Sequence, residues 1–281
     1  MNAEYIWNLW EEIKNSRPLV HCITNMVTVN DCANVLLAAG ASPTMAHHPL
    51  EVEEVTAGCK SLVCNMGAME SLDAMVTAGK KALSLGHPVV LDPVGAAGAS
   101  FRRNSCLNLI KEIQPTCIRG NYSEIKALYL EQKTGMGVDV QEKDRKKEQA
   151  LENIAQAAKD LANKLQNYVV ASGEVDFVSD GKKIIVVHNG SELMSRVTGM
   201  GCMSSAMLGA FLSVENSLES AAACCVVMGI CGEIAEEETK RLGAGIGTFH
   251  IKFLDAVSML TREQIAAVHT ASVRSNNPKE N

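Results

Sequence analysis

Val197-Thr198-Gly199-Met200-Gly201-Cys202-Met203-Ser204-Ser205 is the stretch whose reading decides the fold. A strand-rich, turn-broken segment precedes it, and a helix of small residues follows. Two glycines one residue apart let the backbone turn tightly and approach a ligand closely. The helix is expected to begin near Cys202, and its first N–H groups have no partner inside the helix. Those donors and the helix dipole favour negative charge at the loop. The stretch therefore reads as an anion hole with a thiol at its mouth. A Gly-x-Gly pair also occurs in ordinary turns, so the rest of the chain decides.

Upstream, short apolar strands alternate with helical patterns. The strands are Pro18–Ile23, Ser61–Asn65, Pro88–Leu91, Thr116–Ile118 and Tyr168–Ala171. Helices are expected at Ala3–Lys14, Asn30–Ala39, Pro49–Ala57, Met69–Leu85, Ser105–Ile113 and Ser123–Leu130. Lys133–Val140 reads as a loop, and the charged run Gln141–Gln149 as the solvated start of an amphipathic helix ending near Leu165. Such alternation implies an α/β fold with a mostly parallel sheet and helices on both faces. Val175–Val178 and Lys183–Val187 flank Ser179-Asp180-Gly181, which adds an antiparallel hairpin toward one edge. Helices at Ser204–Leu212, Leu218–Lys240 and His250–Leu260 complete the chain, and residues from about 270 read as a disordered tail.

The 281 residues contain no Pro/Ser/Gly-rich linker, so a single domain over 1–281 is expected. Aromatics are 4 %, which argues against a stacking platform for single-stranded nucleic acid. A formal charge of −6 gives no electrostatic case for nucleic acid or an anionic membrane. The apolar run Ala221–Cys231 is shorter than the ~20 residues of a spanning helix and reads as buried core. Ten cysteines form no Cys-x-x-Cys pair, and no secretory leader is legible, so a reducing cytoplasm is expected.

Ligands of open α/β sheets bind beyond the carboxyl ends of the strands. Four such ends carry polar or glycine-rich clusters: Thr24-Asn25, Asp92-Pro93-Val94-Gly95, Arg119-Gly120-Asn121-Tyr122-Ser123-Glu124 and Ser172-Gly173-Glu174. Together with Gly199–Cys202 they suit a nucleotide phosphate chain with Mg²⁺, an ion that takes one or two carboxylates and keeps much of its water. Asp92 and Glu124 are the candidate carboxylates, and Arg119 suits bidentate pairing with phosphate.

These motifs, in this order, resemble those of the hydroxyethylthiazole kinase family. The resemblance runs through Val20–Asn25 with Asp31 and Asn34, Ala39–Ala46, Asp92–Gly95, Arg119–Ile125 and Val197–Cys202, and covers roughly residues 18–260. It implies a ribokinase-like fold and transfer of the ATP γ-phosphoryl to 4-methyl-5-(2-hydroxyethyl)thiazole, in salvage for thiamine biosynthesis. It further implies a homotrimer with active sites between subunits. On this resemblance Asn25, Val27, Met45 and Gly199 bind the thiazole, while Arg119, Ser172 and Asn121 bind ATP. Asp92 and Glu124 serve the metal, and Gly199, Gly201 and Cys202 form the catalytic loop. In the wider fold the position of Cys202 is usually Asp, acting as base. A thiol at a helix N-terminus can have a lowered pKa, yet phosphoryl transfer needs little proton transfer early on. Cys202 is therefore expected to shape the site and to be at most a modest base.

Each residue also has a plainer explanation. Asp92 and Asn25 can cap the helices that follow them, Glu124 can be a first-turn carboxylate, and Arg119 can sit in a structural ion pair. His47-His48 reads as surface loop, and Gly243-x-Gly245-x-Gly247 as a plain loop or a border of the adenine site. Ala97 stands where the family has a glycine, and Met200 is bulkier than the usual residue between the two glycines. Competing functions are another ribokinase-like activity, a catalytically dead sensor, and a cysteine hydrolase. The last needs a histidine partner for Cys202, and no feature singles out His188 or any other.

Overall fold

Apolar residues at Ile6, Leu9, Trp10 and Ile13 fall on one side of a helix, and α1 (Ala3–Ser16) buries that side. Asn2 caps it by accepting from the Tyr5 N–H at 2.8 Å. The structure, a computed structural model, describes residues 1–133 and 147–275. The chain continues through β1 (Leu19–Ile23), α2 (Val29–Ala38), β2 (Ser42–Thr44), α3 (Val52–Gly58), β3 (Ser61–Asn65), α4 (Leu72–Leu85) and β4 (Val89–Asp92). Next come α5 (Ser100–Ile113), β5 (Cys117–Asn121), α6 (Tyr122–Lys133), α7 (Lys147–Leu165), β6 (Tyr168–Ser172), β7 (Asp176–Ser179) and β8 (Ile184–Val187). The chain closes with α8 (Met200–Val214), α9 (Leu218–Arg241), α10 (Ile246–Met259), α11 (Arg262–Ser272) and β9 (Val273–Ser275).

The described strands form one nine-stranded sheet in the order β2-β1-β3-β4-β5-β6-β7-β8-β9. Pairings from β2 through β6 are parallel, and β7, β8 and β9 add antiparallel strands at one edge. Strand order reverses between β1 and β3, which opens a crevice at their carboxyl ends. Alternate strand residues feed two cores, one per face. Val20, Cys22, Val63, Val90, Cys117 and Val170 join α1, α2, α8, α9 and α10. Ile23, Leu62, Cys64, Leu91, Ile118 and Val169 join α4 to α7. Helix α8 lies close over β3 because Gly209 has no side chain; a Cβ there would stand 2.6 Å from Val63. Helix α9 is long and apolar enough to cross a membrane, and 78 % of its most apolar window is buried inside the protein. The expected α/β plan holds, with its parallel sheet and antiparallel edge.

Several boundaries differ from the sequence expectation. Helix α8 begins at Met200, two residues before Cys202, because Gly199 adopts φ 90° and caps it. Helix α5 begins at Ser100, five residues early, where the extended backbone of Ala99 gives way to helix. Gly245 caps α10, so Gly247 lies within that helix and the glycine trio is not all loop. The stretch beyond residue 270, expected to lack structure, carries α11 to Ser272 and pairs Val273–Ser275 with β8. Lys133, expected to open a loop, ends α6; the rest of that loop and most of the charged run to 149 lie outside the described residues, as do residues 276–281.

Candidate active site

A cavity of about 930 Å³ opens at the carboxyl ends of β4, β5 and β6 and runs toward α8 and α9. Asp92, Arg119, Asn121, Glu124, Ser172 and the Gly199–Cys202 turn all line it. The sheet register explains part of this convergence. Asn65 pairs with Asp92 across β3 and β4, and Asn121 pairs with Ser172 across β5 and β6.

The Gly199–Cys202 turn is held from two sides. Gly199 has a left-handed backbone, and a Cβ there would stand 3.1 Å from Thr28 Cγ2 and 3.3 Å from Asp31 Oδ2. Arg119 Nη1 donates to the Gly201 carbonyl at 2.9 Å. The first turn of α8 lines the cavity beside a guanidinium, an arrangement that suits an anion.

Asp92 is buried at the end of β4, and its Oδ2 accepts from Asn65 Nδ2 at 3.1 Å and Ser205 Oγ at 2.8 Å. Burial pushes its carboxyl up to about 6, against the opposing pull of Arg119. Asp176, at the start of β7, also lines the cavity and is likewise pushed up to about 6 by burial, with Arg119 again opposing.

Asn121 and Glu124 form a capping box at the start of α6. The Glu124 N–H donates to Asn121 Oδ1 at 3.0 Å, and the Asn121 N–H donates to Glu124 Oε2 at 2.9 Å. Glu124 Oε1 accepts from the Gly95 N–H at 2.9 Å, tying the β4 loop to the β5 loop. The first-turn explanation for Glu124 is therefore correct, and the carboxylate still faces the cavity.

Cys202 Sγ lies 3.2 Å from Asn65 Nδ2 and 3.6 Å from Asn25 Nδ2. Burial and the nearby Asp92 charge push this thiol up, outweighing the amide donors around it. A lowered pKa from the helix terminus is not what this site produces. Asn25 Oδ1 accepts from the N–H groups of Val27 and Thr28 at 3.1 and 3.2 Å, so Asn25 shapes the turn into α2 as well as facing Cys202. Val27 is 72 % exposed, Met45 packs half-buried against the α1–α2 side of the core, and of the expected thiazole-binding residues only Gly199 lines the cavity; Asn25, Val27 and Met45 do not.

Sequence reasoning missed Asn65, Ser205 and Asp176. Asn65 carried the same signal as Asp92, a polar residue closing a buried apolar strand, and was findable. Ser205 sits inside a helix of small residues and had no signal. Asp176 opens a hairpin strand, and only the fold turns it toward Arg119. His188 does not line the cavity with Cys202, so the hydrolase pairing has no support.

A model of the hydroxyethylthiazole kinase family matches residues 10–263. The hydroxyethylthiazole kinase of Clostridium botulinum (strain Alaska E43 / Type E3) is 43 % identical over 263 residues, covering 92 % of this chain and 93 % of that one. The solved structure of a hydroxyethylthiazole kinase protein from Pyrococcus horikoshii OT3 is 35 % identical, with a TM-score of 0.84 over 98 % of this chain and 100 % of that one. A ribokinase-like superfamily protein from Enterococcus faecalis V583 shares the fold at 13 % identity, with a TM-score of 0.59 over 92 % and 94 % of the two chains. With its glycine turn, strand-end carboxylates and arginine meeting at one cavity, the chain belongs to the hydroxyethylthiazole kinase family.

Proposed function

We propose that the protein transfers the γ-phosphoryl of ATP to the hydroxyl of 4-methyl-5-(2-hydroxyethyl)thiazole, giving ADP and the thiazole phosphate for thiamine biosynthesis. One observation carries this reading beyond the family relationship. Arg119 reaches the Gly201 carbonyl and Asn25 the Cys202 thiol at the N-terminus of α8, which supports reading the side with Arg119 and Asp92 as the phosphate side and the side with Asn25 and Cys202 as the acceptor side. Arg119, Asn121 and Ser172 hold the nucleotide phosphates. Gly199 and Gly201 bracket the transferred group, and the N–H groups of the α8 first turn take up charge on its oxygens. Asn25 faces the alcohol. Cys202 stays a neutral thiol that shapes the acceptor pocket.

The carboxylates fit a Mg²⁺ ion that retains most of its water. Among the described residues no group of three metal-binding side chains forms a cage. Both Glu124 oxygens already accept backbone N–H bonds, which suits contact through water. Asp92 has Oδ2 engaged and reaches the cavity, which suits one direct ligand. The cation, when bound, neutralises phosphate charge.

The thiazole pocket is completed in a homotrimer. Val27 and Met45 fall outside the single-chain cavity, and Met26 is 87 % exposed beside Val27, so an apolar rim awaits a neighbouring copy. The protein works as a single kinase domain in the cytoplasm, a setting that suits its free cysteines.

A coupled ADP-release assay with MgATP tests the reaction. ADP formed with the thiazole alcohol, and not with hydroxymethylpyrimidine or alone, supports it. Folded protein that binds ATP without thiazole-dependent ADP release sinks it. A fully active monomer in sedimentation would remove the trimer.

A further inference from the structure

Asn65 closes β3 at the crevice where the strand order reverses, and it is 1 % exposed. Its side chain uses every hydrogen-bonding position it has. Nδ2 donates to Asp92 Oδ2 at 3.1 Å and to Cys202 Sγ at 3.2 Å. Oδ1 accepts from the Gly67 N–H at 2.8 Å and from Asn25 Nδ2 at 3.2 Å. A primary amide offers two donors and two lone pairs, so the count closes. Reversing the amide would set its oxygen against the Asp92 carboxylate and its NH₂ against the Gly67 N–H, which leaves one orientation. Gly67 is part of the device: a Cβ there would stand 2.7 Å from Asn65 Oδ1 and 2.9 Å from Asn25 Cβ.

The consequence is a fixed register between the two halves of the site. Asn65 and Ser205 both engage Asp92 Oδ2, so that oxygen is anchored against protein while the residue lines the cavity. The same amide holds Asn25 and Cys202 on the acceptor side. We propose that Asn65 is a positioning residue for phosphoryl transfer, locking the nucleotide-side carboxylate and the acceptor-side residues in one geometry without touching either substrate. This rests on the kinase reading given above. Misplacing reacting groups by about 1 Å costs ~100-fold in rate, so the effect belongs in kcat.

The test uses full-length protein, MgATP and the thiazole alcohol. Wild-type protein must first show thiazole-dependent ADP release; its absence would count against the kinase reading and not against the role of Asn65. In Asn65→Ala, kcat is expected to fall about 100-fold, with both KM values within about threefold of wild type. Asn65→Asp keeps the acceptors and the size but turns a carboxylate on Asp92, and is expected to be at least as slow. Ser205→Ala in the Asn65→Ala background should cost much less than in wild type, because both side chains hold one oxygen. Near-wild-type kcat in either Asn65 variant, a loss confined to KM, or losses that multiply in the double variant would each overturn the proposal. Where thermal melting shows Asn65→Ala poorly folded, Asn65→Ser replaces it, and a folded, fully active serine variant overturns the proposal equally.

Discussion

Arg119 Nη1 donates to the carbonyl oxygen of Gly201 across 2.9 Å, joining the end of β5 to the first turn of α8. The guanidinium occupies the space a side chain at 201 would need, since a Cβ there would stand 2.9 Å from Nη1. Gly201→Ala therefore separates folding from function. Alanine favours helix over glycine by up to ~1 kcal/mol, and the arginine tip can move aside. The melting temperature is expected to hold or rise while the KM for ATP increases at least ~10-fold. Arg119→Lys, which keeps charge but loses the planar fork, should cost ~10-fold or more in kcat/KM for ATP. Steady-state kinetics beside thermal melts decide it, and an unchanged ATP KM in both variants would remove Arg119 from the phosphate site.

Burial holds the Asp92 carboxyl near 6, well above its ordinary range. The folded state then takes up this proton more readily than the unfolded chain. Stability from the protonated group is present below pH 4 and is lost as pH rises through about 6. Two units correspond to up to ~3 kcal/mol. Asp92→Asn should therefore raise the melting temperature at pH 8 and leave it little changed at pH 4. The same change should lower kcat by ~100-fold or more, because a charge needed for phosphoryl transfer is gone. In wild type, kcat/KM should rise with pH through about 6 as the carboxylate forms. A flat profile across that range would separate Asp92 from the chemistry.

The parallel sheet was legible because each strand is a short apolar run closed by a polar or glycine-rich end. The glycine turn was legible for the same reason, since Gly199-x-Gly201 follows a broken segment and opens a helix. Asn121-x-x-Glu124 was visible as a pattern, but its work as a capping box depends on which N–H groups the two side chains face. Helix starts were misjudged where the signal is backbone conformation, as at Gly199 and Ala99. Ser205 and Asp176 stayed hidden because only tertiary packing brings them to Asp92 and Arg119. Met45 and Val27 rest on family resemblance alone, since one chain does not bring them to the cavity, and Asn25 reaches the site only through its contacts with Asn65 and Cys202.

Cys202 gives the next prediction. Its thiol is pushed up by burial and by Asp92, so it is neutral at pH 7. A loose transition state asks little of a base at that position. Cys202→Ser preserves an acceptor for Asn65 and should keep kcat within ~10-fold of wild type. The activity profile should show no inflection from a thiol between pH 7 and 8.5. Complete loss of turnover with both substrates still bound would make Cys202 the base after all.

His21 ties β1 to the segment that follows Met45. Fully buried on β1, it bonds Ala46 O through Nε2 at 2.8 Å and Thr56 Oγ1 through Nδ1 at 2.9 Å. A carbonyl can only accept, so Nε2 carries the proton and Nδ1 takes the threonine hydroxyl. That bond pins the backbone directly after Met45. Burial lowers the His21 pKa, so the neutral ring is the folded form. Its contribution to stability is present above the ordinary histidine range and is lost as pH falls below it. His21→Phe keeps a ring but strands two polar partners, which should cost ~1–3 kcal/mol. Released from its anchor, the Met45–Ala46 segment should bind thiazole more weakly, raising that KM several-fold while the ATP KM stays put. Denaturant unfolding and two-substrate kinetics on one variant test both halves. A thiazole KM equal to wild type in a destabilised His21→Phe protein would show that the strand after β1 keeps its shape without this bond, and that Met45 is set by core packing instead.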